Sequence, residues 1–163
     1  MQTVYLIGFM GSGKSTVGKL LHETLGGMYA DTDQMIIDKY GEIVSIFEQK
    51  GEKQFRYYES EMLKHTAGGK FIVSTGGGII ERQENGEFMK NNGRIVYLAT
   101  SFDEITRRLG NDPERPLWDK NHSEKERLYQ RRNRIYSALA DLKIMTDHKS
   151  PHSVAKEILG YLQ

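Results

Sequence analysis

The segment Gly8-Phe9-Met10-Gly11-Ser12-Gly13-Lys14-Ser15 constrains this chain more than any other. It follows an apolar run, Thr3 to Ile7, that reads as a buried strand. It precedes Lys14 to Leu25, where Val17, Leu20, Leu21 and Leu25 recur at helical spacing. Glycines let the backbone turn tightly, so that successive N–H groups point inward at phosphate oxygens, and the helix N-terminus adds its positive dipole end. Lys14 can then reach the β- and γ-phosphates, and the Ser15 hydroxyl can ligate Mg²⁺. A plain strand-to-helix turn would use the glycines but has no need of Lys-Ser behind them. The segment therefore implies nucleotide-phosphate binding, and leaves a kinase, a GTPase switch and a motor open.

The remainder alternates short apolar runs with longer amphipathic ones. Strands are expected at Met28 to Asp31, Phe71 to Ser74, Arg94 to Ala99 and Lys143 to Met145. Helices are expected at Ile43 to Gln49, Glu52 to His65, Phe102 to Leu109, Lys125 to Ala140 and Ser153 to Leu162. Gly110 to Ser123, with Pro113 and Pro116, reads as a mobile loop. Alternation of this kind gives an α/β domain with a parallel sheet covered by helices on both faces.

Size and composition narrow the class. The 163 residues suit one domain. There is no cysteine, which excludes disulfides, thiolate metal sites and cysteine nucleophiles. Lys plus Arg total 23 and Asp plus Glu 22, too even a balance for a broad nucleic-acid-binding face. No basic leader precedes the first strand and no apolar run has the length of a membrane span, so the expectation is a cytoplasmic protein. With no heptad or apolar surface stripe, it is expected to be a monomer. No Asn-Lys-x-Asp segment is present to read guanine, and motors are usually longer. A small-molecule kinase whose lid spans about residues 110–123 fits best, since lid closure keeps water from the γ-phosphoryl group.

The acceptor side then needs a residue to orient a hydroxyl and charges to match the substrate. Asp31-Thr32-Asp33 follows the second strand, where ligand crevices of parallel sheets open. Asp31 can hold Mg²⁺, in part through water, and Asp33 can accept a hydrogen bond from the acceptor hydroxyl. The competing use of this segment is as a helix N-cap. In Phe55-Arg56-Tyr57-Tyr58-Glu59, Arg56 and Glu59 lie three apart on one helix face. They form either a surface ion pair or an Arg fork for a substrate carboxylate, with Glu59 fixing it. Phe47 and Phe55 read as core. Gly76-Gly77-Gly78, after a strand, can bring backbone N–H groups close to a ligand.

Together these segments resemble the shikimate kinase family: Gly8–Ser15, Asp31-Thr32-Asp33, Phe55-Arg56 with Glu59, Gly76–Gly78, Arg115-Pro116-Leu117, and Arg132 four residues before Tyr136. The resemblance implies a three-layer α/β/α P-loop kinase fold with a five-stranded parallel sheet and a lid. It also implies one domain over residues 1–163, with a substrate-binding region at about 32–62. The activity it implies is transfer of the γ-phosphoryl of ATP to the 3-hydroxyl of shikimate, with Mg²⁺, on the route to aromatic amino acids. By position, Gly11, Ser12, Gly13, Lys14, Ser15 and Thr16 would bind nucleotide phosphates and Ser15 and Asp31 the metal. Arg108 would pack on the adenine. Asp33 would orient the acceptor, and Arg56 and Arg132, with backbone at Gly77 and Gly78, would hold the carboxylate. Arg115 would stabilise the transferring group from the lid, beside Lys14.

Two features depart from that pattern. Trp118 brings a large aromatic into the lid, and residues 131–134 read Arg-Arg-Asn-Arg. Spacing from Tyr136 favours Arg132 for the carboxylate, with Arg131 and Arg134 on another face as surface charges or as rival ligands. Two other functions share the phosphate loop. One is gluconate kinase, disfavoured by the Asp33, Arg56 and Arg132 set; the other is a non-catalytic nucleotide-binding module, disfavoured by Lys14, Ser15, Asp33 and Arg115 all being kept.

Overall fold

Strand β1 (Thr3–Ile7) is buried along its whole length and carries the sheet. Its side chains alternate between two cores, as successive strand residues must. Val4 and Leu6 enter one cluster, with Val17, Leu21, Val154 and Ile158. Tyr5 and Ile7 enter the other, with Leu63, Met89, Ile105 and Tyr136. In this computed structural model, which describes residues 2–110 and 121–163, the five strands are all parallel. Their order is β2-β3-β1-β4-β5. The other strands are β2 (Met28–Asp31), β3 (Phe71–Ser74), β4 (Gly93–Ala99) and β5 (Leu142–Met145).

Helices α1 (Lys14–Leu25) and α8 (Pro151–Leu162) pack together and cover the Val4/Leu6 face. The Tyr5/Ile7 face is covered by residues from α4 (Glu52–Lys64), α5 (Gln83–Asn92), α6 (Phe102–Leu109) and α7 (His122–Leu139). The expected three-layer α/β/α arrangement is therefore present. Helices α2 (Thr32–Tyr40) and α3 (Ile43–Lys50) pack on α4 around a third cluster of Ile36, Ile46, Phe55, Tyr58 and Met62. Tyr40 stacks on Tyr58 there, with ring centroids 3.6 Å apart.

Two helices go beyond the sequence expectation. Helix α2 is short and buries only Thr32 and Ile36, so it lacks an apolar stripe. Helix α5 contains Gly86 and three asparagines, poor helix formers. It forms because Leu139 packs where a Gly86 side chain would stand, 3.1 Å from the Cβ position. Helix α7 also starts earlier than periodicity suggests, at His122, because the Asn121 side chain caps it through Glu124 N at 2.9 Å. Residues 111–120 of the expected lid, Arg115 and Trp118 included, lie outside the described residues. Among the described residues no helix is long and apolar enough to cross a membrane.

Gly93 opens β4 against β1. A Cβ there would overlap the Thr3 carbonyl oxygen and lie 2.9 Å from its carbon. Backbone on both sides has no room to yield, so Gly93→Ala should lower stability by about 2 kcal/mol in urea denaturation.

Candidate active site

The loop between β1 and α1 is held by glycine geometry. Gly11 and Gly13 have φ of 82° and 93°, and Gly8 has φ of 154° with the Leu98 carbonyl oxygen 2.8 Å from where its Cβ would be. At each, a side chain would be strained or would clash. The Lys14 ammonium arches back over the loop and donates to the Gly8 carbonyl at 2.6 Å and the Phe9 carbonyl at 3.0 Å. Helix α1 lies close on β3 because Gly18 faces Ser74, whose hydroxyl donates to the Lys14 carbonyl at 2.9 Å.

Asp31 does two things at the end of β2. One carboxylate oxygen accepts from Gln34 N at 3.2 Å and caps α2; the other accepts from the Ser15 hydroxyl at 2.8 Å. The cap and the phosphate-loop contact coexist on one side chain. Next to it, Thr32 is fully buried, and its hydroxyl accepts from Gly76 N at 2.9 Å. Sequence reasoning passed over Thr32; its place between two acidic candidates was the available signal. A cavity of about 610 Å³ joins residues Gly11, Gly13–Thr16, Asp31, Asp33, Gly76 and Gly77. Gln34, Ile37, Glu42, Ile43 and Val44 also line it; they lie within the expected substrate-binding region at about 32–62, though none is an expected site residue by itself. Their segment offered only ordinary helix-forming residues.

The turn Gly76-Gly77-Gly78 is crowded on every side. A Cβ on Gly76 would lie 2.6 Å from Asp33 Oδ1 and 2.9 Å from Glu59 Oε2. One on Gly77 would be 3.2 Å from Met10 N and 3.5 Å from Arg132 Nη1, and one on Gly78 would fall within the Arg56 guanidinium, 2.5 Å from Cζ. The three glycines thus bring Asp33, Glu59, Arg56 and Arg132 against one stretch of backbone. The Tyr136 hydroxyl donates to the Gly77 carbonyl and ties α7 to the same turn.

Arg56 and Glu59 are not a surface pair. Arg56 is 8% exposed and Glu59 1%, with Nη1 donating to Glu59 Oε1 at 2.7 Å. Arg56 Nε and Nη2 donate to Glu52 at 3.3 and 3.2 Å. Burial pushes the Glu59 carboxyl up to about 7, the charge and hydrogen bond of Arg56 oppose it, and Asp33 adds to the rise.

The three clustered arginines of α7, Arg131, Arg132 and Arg134, separate by burial. Arg132 is 1% exposed, whereas Arg131 and Arg134 are exposed. Arg132 sits over the Phe9 ring, 5.8 Å from its centroid. Its Nε and Nη2 have no hydrogen-bond partner among the described residues. Buried donors of a cation are costly to leave unmade, so this guanidinium is suited to an anion. Arg56, Gly78 and Arg132 are not among the residues that line this cavity. Arg108 lies at the other side of the phosphate loop, where Nη1 donates to the Gly11 carbonyl at 3.0 Å and Nε to Glu104 at 2.9 Å.

The model of the family described as "Shikimate kinase" matches residues 10–163. The chain belongs to the shikimate kinase family. A shikimate kinase of Persephonella marina is 46% identical, with 100% of both chains covered. One of Bacillus cytotoxicus is 43% identical over 98% of this chain and 97% of its own. The solved shikimate kinase of Acinetobacter baumannii, in complex with shikimate, superposes with a TM-score of 0.95 at 35% identity, covering 99% of this chain and 93% of that one. That of Aquifex aeolicus does so at 0.87 and 40%, covering 98% and 95%. Family membership favours the shikimate kinase reading over gluconate kinase.

Among shikimate kinase residues of this chain, Glu59 has the clearest pH signature. Its carboxyl holds a proton more tightly folded than unfolded, where the ordinary value is 4.5. Its contribution to stability is therefore complete below pH 4.5 and is lost as pH rises to about 7. Glu59→Gln should flatten that part of the melting-temperature profile between pH 4.5 and 7, measured by circular dichroism.

Proposed function

We propose that the chain transfers the γ-phosphoryl group of ATP to the 3-hydroxyl of shikimate, giving shikimate 3-phosphate and ADP, on the route to aromatic amino acids. The observation that carries this reading is the convergence of Asp33, Arg56 and Arg132 on the glycine turn beside the phosphate loop. It matches an acceptor bearing both hydroxyls and a carboxylate, and the Acinetobacter baumannii relative is a complex with shikimate. The whole chain acts as one kinase domain, with its substrate-binding region at about 32–62 and its lid at about 110–123.

The backbone from Gly11 to Thr16 cradles the phosphates, and Lys14 leaves the carbonyls of Gly8 and Phe9 to reach the γ-phosphoryl oxygens. Arg108 exchanges its bond to Gly11 for the adenine face. Arg56 and Arg132 hold the substrate carboxylate, with N–H groups of Gly77 and Gly78 close by. Asp33 accepts a hydrogen bond from the acceptor hydroxyl and aims its oxygen in line with the γ-phosphorus. Arg115, from the lid, would add positive charge against the transferring group.

The Ser15 hydroxyl and Asp31 carboxylate, 2.8 Å apart, fit Mg²⁺, which takes one or two protein oxygens and fills its shell with phosphates and water. Among the described residues there is no cluster of three or more His, Cys, Asp and Glu for a metal, in keeping with an ion that arrives with the nucleotide. When bound, Mg²⁺ supplies neutralisation of charge on the β- and γ-phosphates.

Asp33→Asn should lower kcat about a hundredfold or more, with ATP affinity within about twofold of the parent. Coupled ADP release should require shikimate and stay at background with gluconate or nucleoside monophosphates. Unchanged turnover in the variant would remove the role given to Asp33, and release driven by gluconate would favour the other small-metabolite kinase.

A further inference from the structure

The buried Arg132 has a rival anion inside the protein. Glu81 ends a single 3-10 turn (Ile79–Glu81) that begins directly after the glycines, and its side chain is 16% exposed. Its Oε1 is 3.7 Å from Arg132 Nε, an ion-pair distance without a hydrogen bond. A shift of about 1 Å would bring the two into hydrogen-bond range. Arg131 prevents it by holding both oxygens, Oε1 from Nη1 at 2.8 Å and Oε2 from Nη2 at 2.7 Å. Burial alone would raise the Glu81 carboxyl. The Arg131 hydrogen bond and the charges of Arg132, Arg131 and Arg56 bring it instead below the ordinary carboxylate range, so it is ionised at neutral pH.

We propose that Arg131 is a positioning residue that sequesters Glu81, which keeps the donors of Arg132 for the carboxylate of the acceptor. The proposal rests on the reading of Arg132 as the carboxylate clamp. A fork is needed for this task. A planar guanidinium takes both carboxylate oxygens at once, whereas a point-like ammonium would leave one oxygen to turn toward Arg132. The exposed α7 arginine thus acts through the buried one beside it, and Glu81 is a competitor held out of reach.

Steady-state kinetics on the full chain separate this from a mere tether between α7 and the 3-10 turn. Arg131→Met should raise KM for shikimate about tenfold, the scale of one charge-assisted hydrogen bond, with kcat and the KM for ATP within about twofold. Glu81→Gln should not raise the KM for shikimate. The double variant Glu81→Gln with Arg131→Met should return KM to within about twofold of the parent, since neither competitor nor keeper remains. A simple tether predicts that both single variants and the double raise KM alike and lower the melting temperature together; that result, or an unaffected Arg131→Met, overturns the proposal. Arg132→Met tests the premise separately: an unchanged KM for shikimate there would dismiss the clamp itself.

Discussion

Close approach to the backbone of Gly76-Gly77-Gly78 is the constraint on which the proposed acceptor side of this kinase depends. Four charged side chains from three helices reach it: Asp33 from α2, Arg56 and Glu59 from α4, and Arg132 from α7. A Cβ on Gly76 would displace Asp33 or Glu59, and one on Gly78 would displace Arg56. The turn is in its place because β3 pairs with β1, and because Thr75 donates through its N–H and its hydroxyl to the Leu6 carbonyl at 3.2 and 2.8 Å. The glycine turn and the phosphate loop are thereby registered on adjacent strands, which sets the two halves proposed for the phosphoryl transfer side by side without a separate scaffold.

Charge in this region is arranged so that buried groups are partly but not wholly paired. Arg56 is shared between Glu52 and Glu59, while Arg132 keeps two donors without a partner among the described residues. Burying a cation in this way costs stability, and the cost is tolerable where an anion completes the set. Burial wins over the attraction of Arg56 at Glu59 and holds its carboxyl up at about 7. The Glu81 and Arg131 pair sits at the boundary of the same region, where burial gives way to solvent.

Much of this was legible from residues alone, for physical reasons that differ along the chain. The strands β1, β3 and β4 stand out because strands buried on both faces are continuously apolar, and the phosphate loop because its residues have no cheaper purpose. Arg132 could be separated from Arg131 and Arg134 by helical phase relative to Tyr136, and its burial agrees. Helices α2 and α5 were not legible. They carry little apolar periodicity: α5 is held by Leu139 against Gly86, and α2, whose only local signal is the Asp31 cap, by its packing on α4. Nor could spacing show that Arg56 and Glu59 are buried, since an i, i+3 pair looks the same on any helix face. The partner of Arg131 lies fifty residues away, a pairing that only the fold supplies.

Titration calorimetry of Gly78→Ala tests whether the bare glycine backbone is what lets the charges proposed to bind the acceptor converge. A Cβ at that position would sit inside the Arg56 guanidinium and push it from its place. Shikimate affinity should fall about tenfold or more while ATP affinity stays within about twofold, because the phosphate loop is untouched. Shikimate binding as tight as in the parent chain would contradict that role of the backbone.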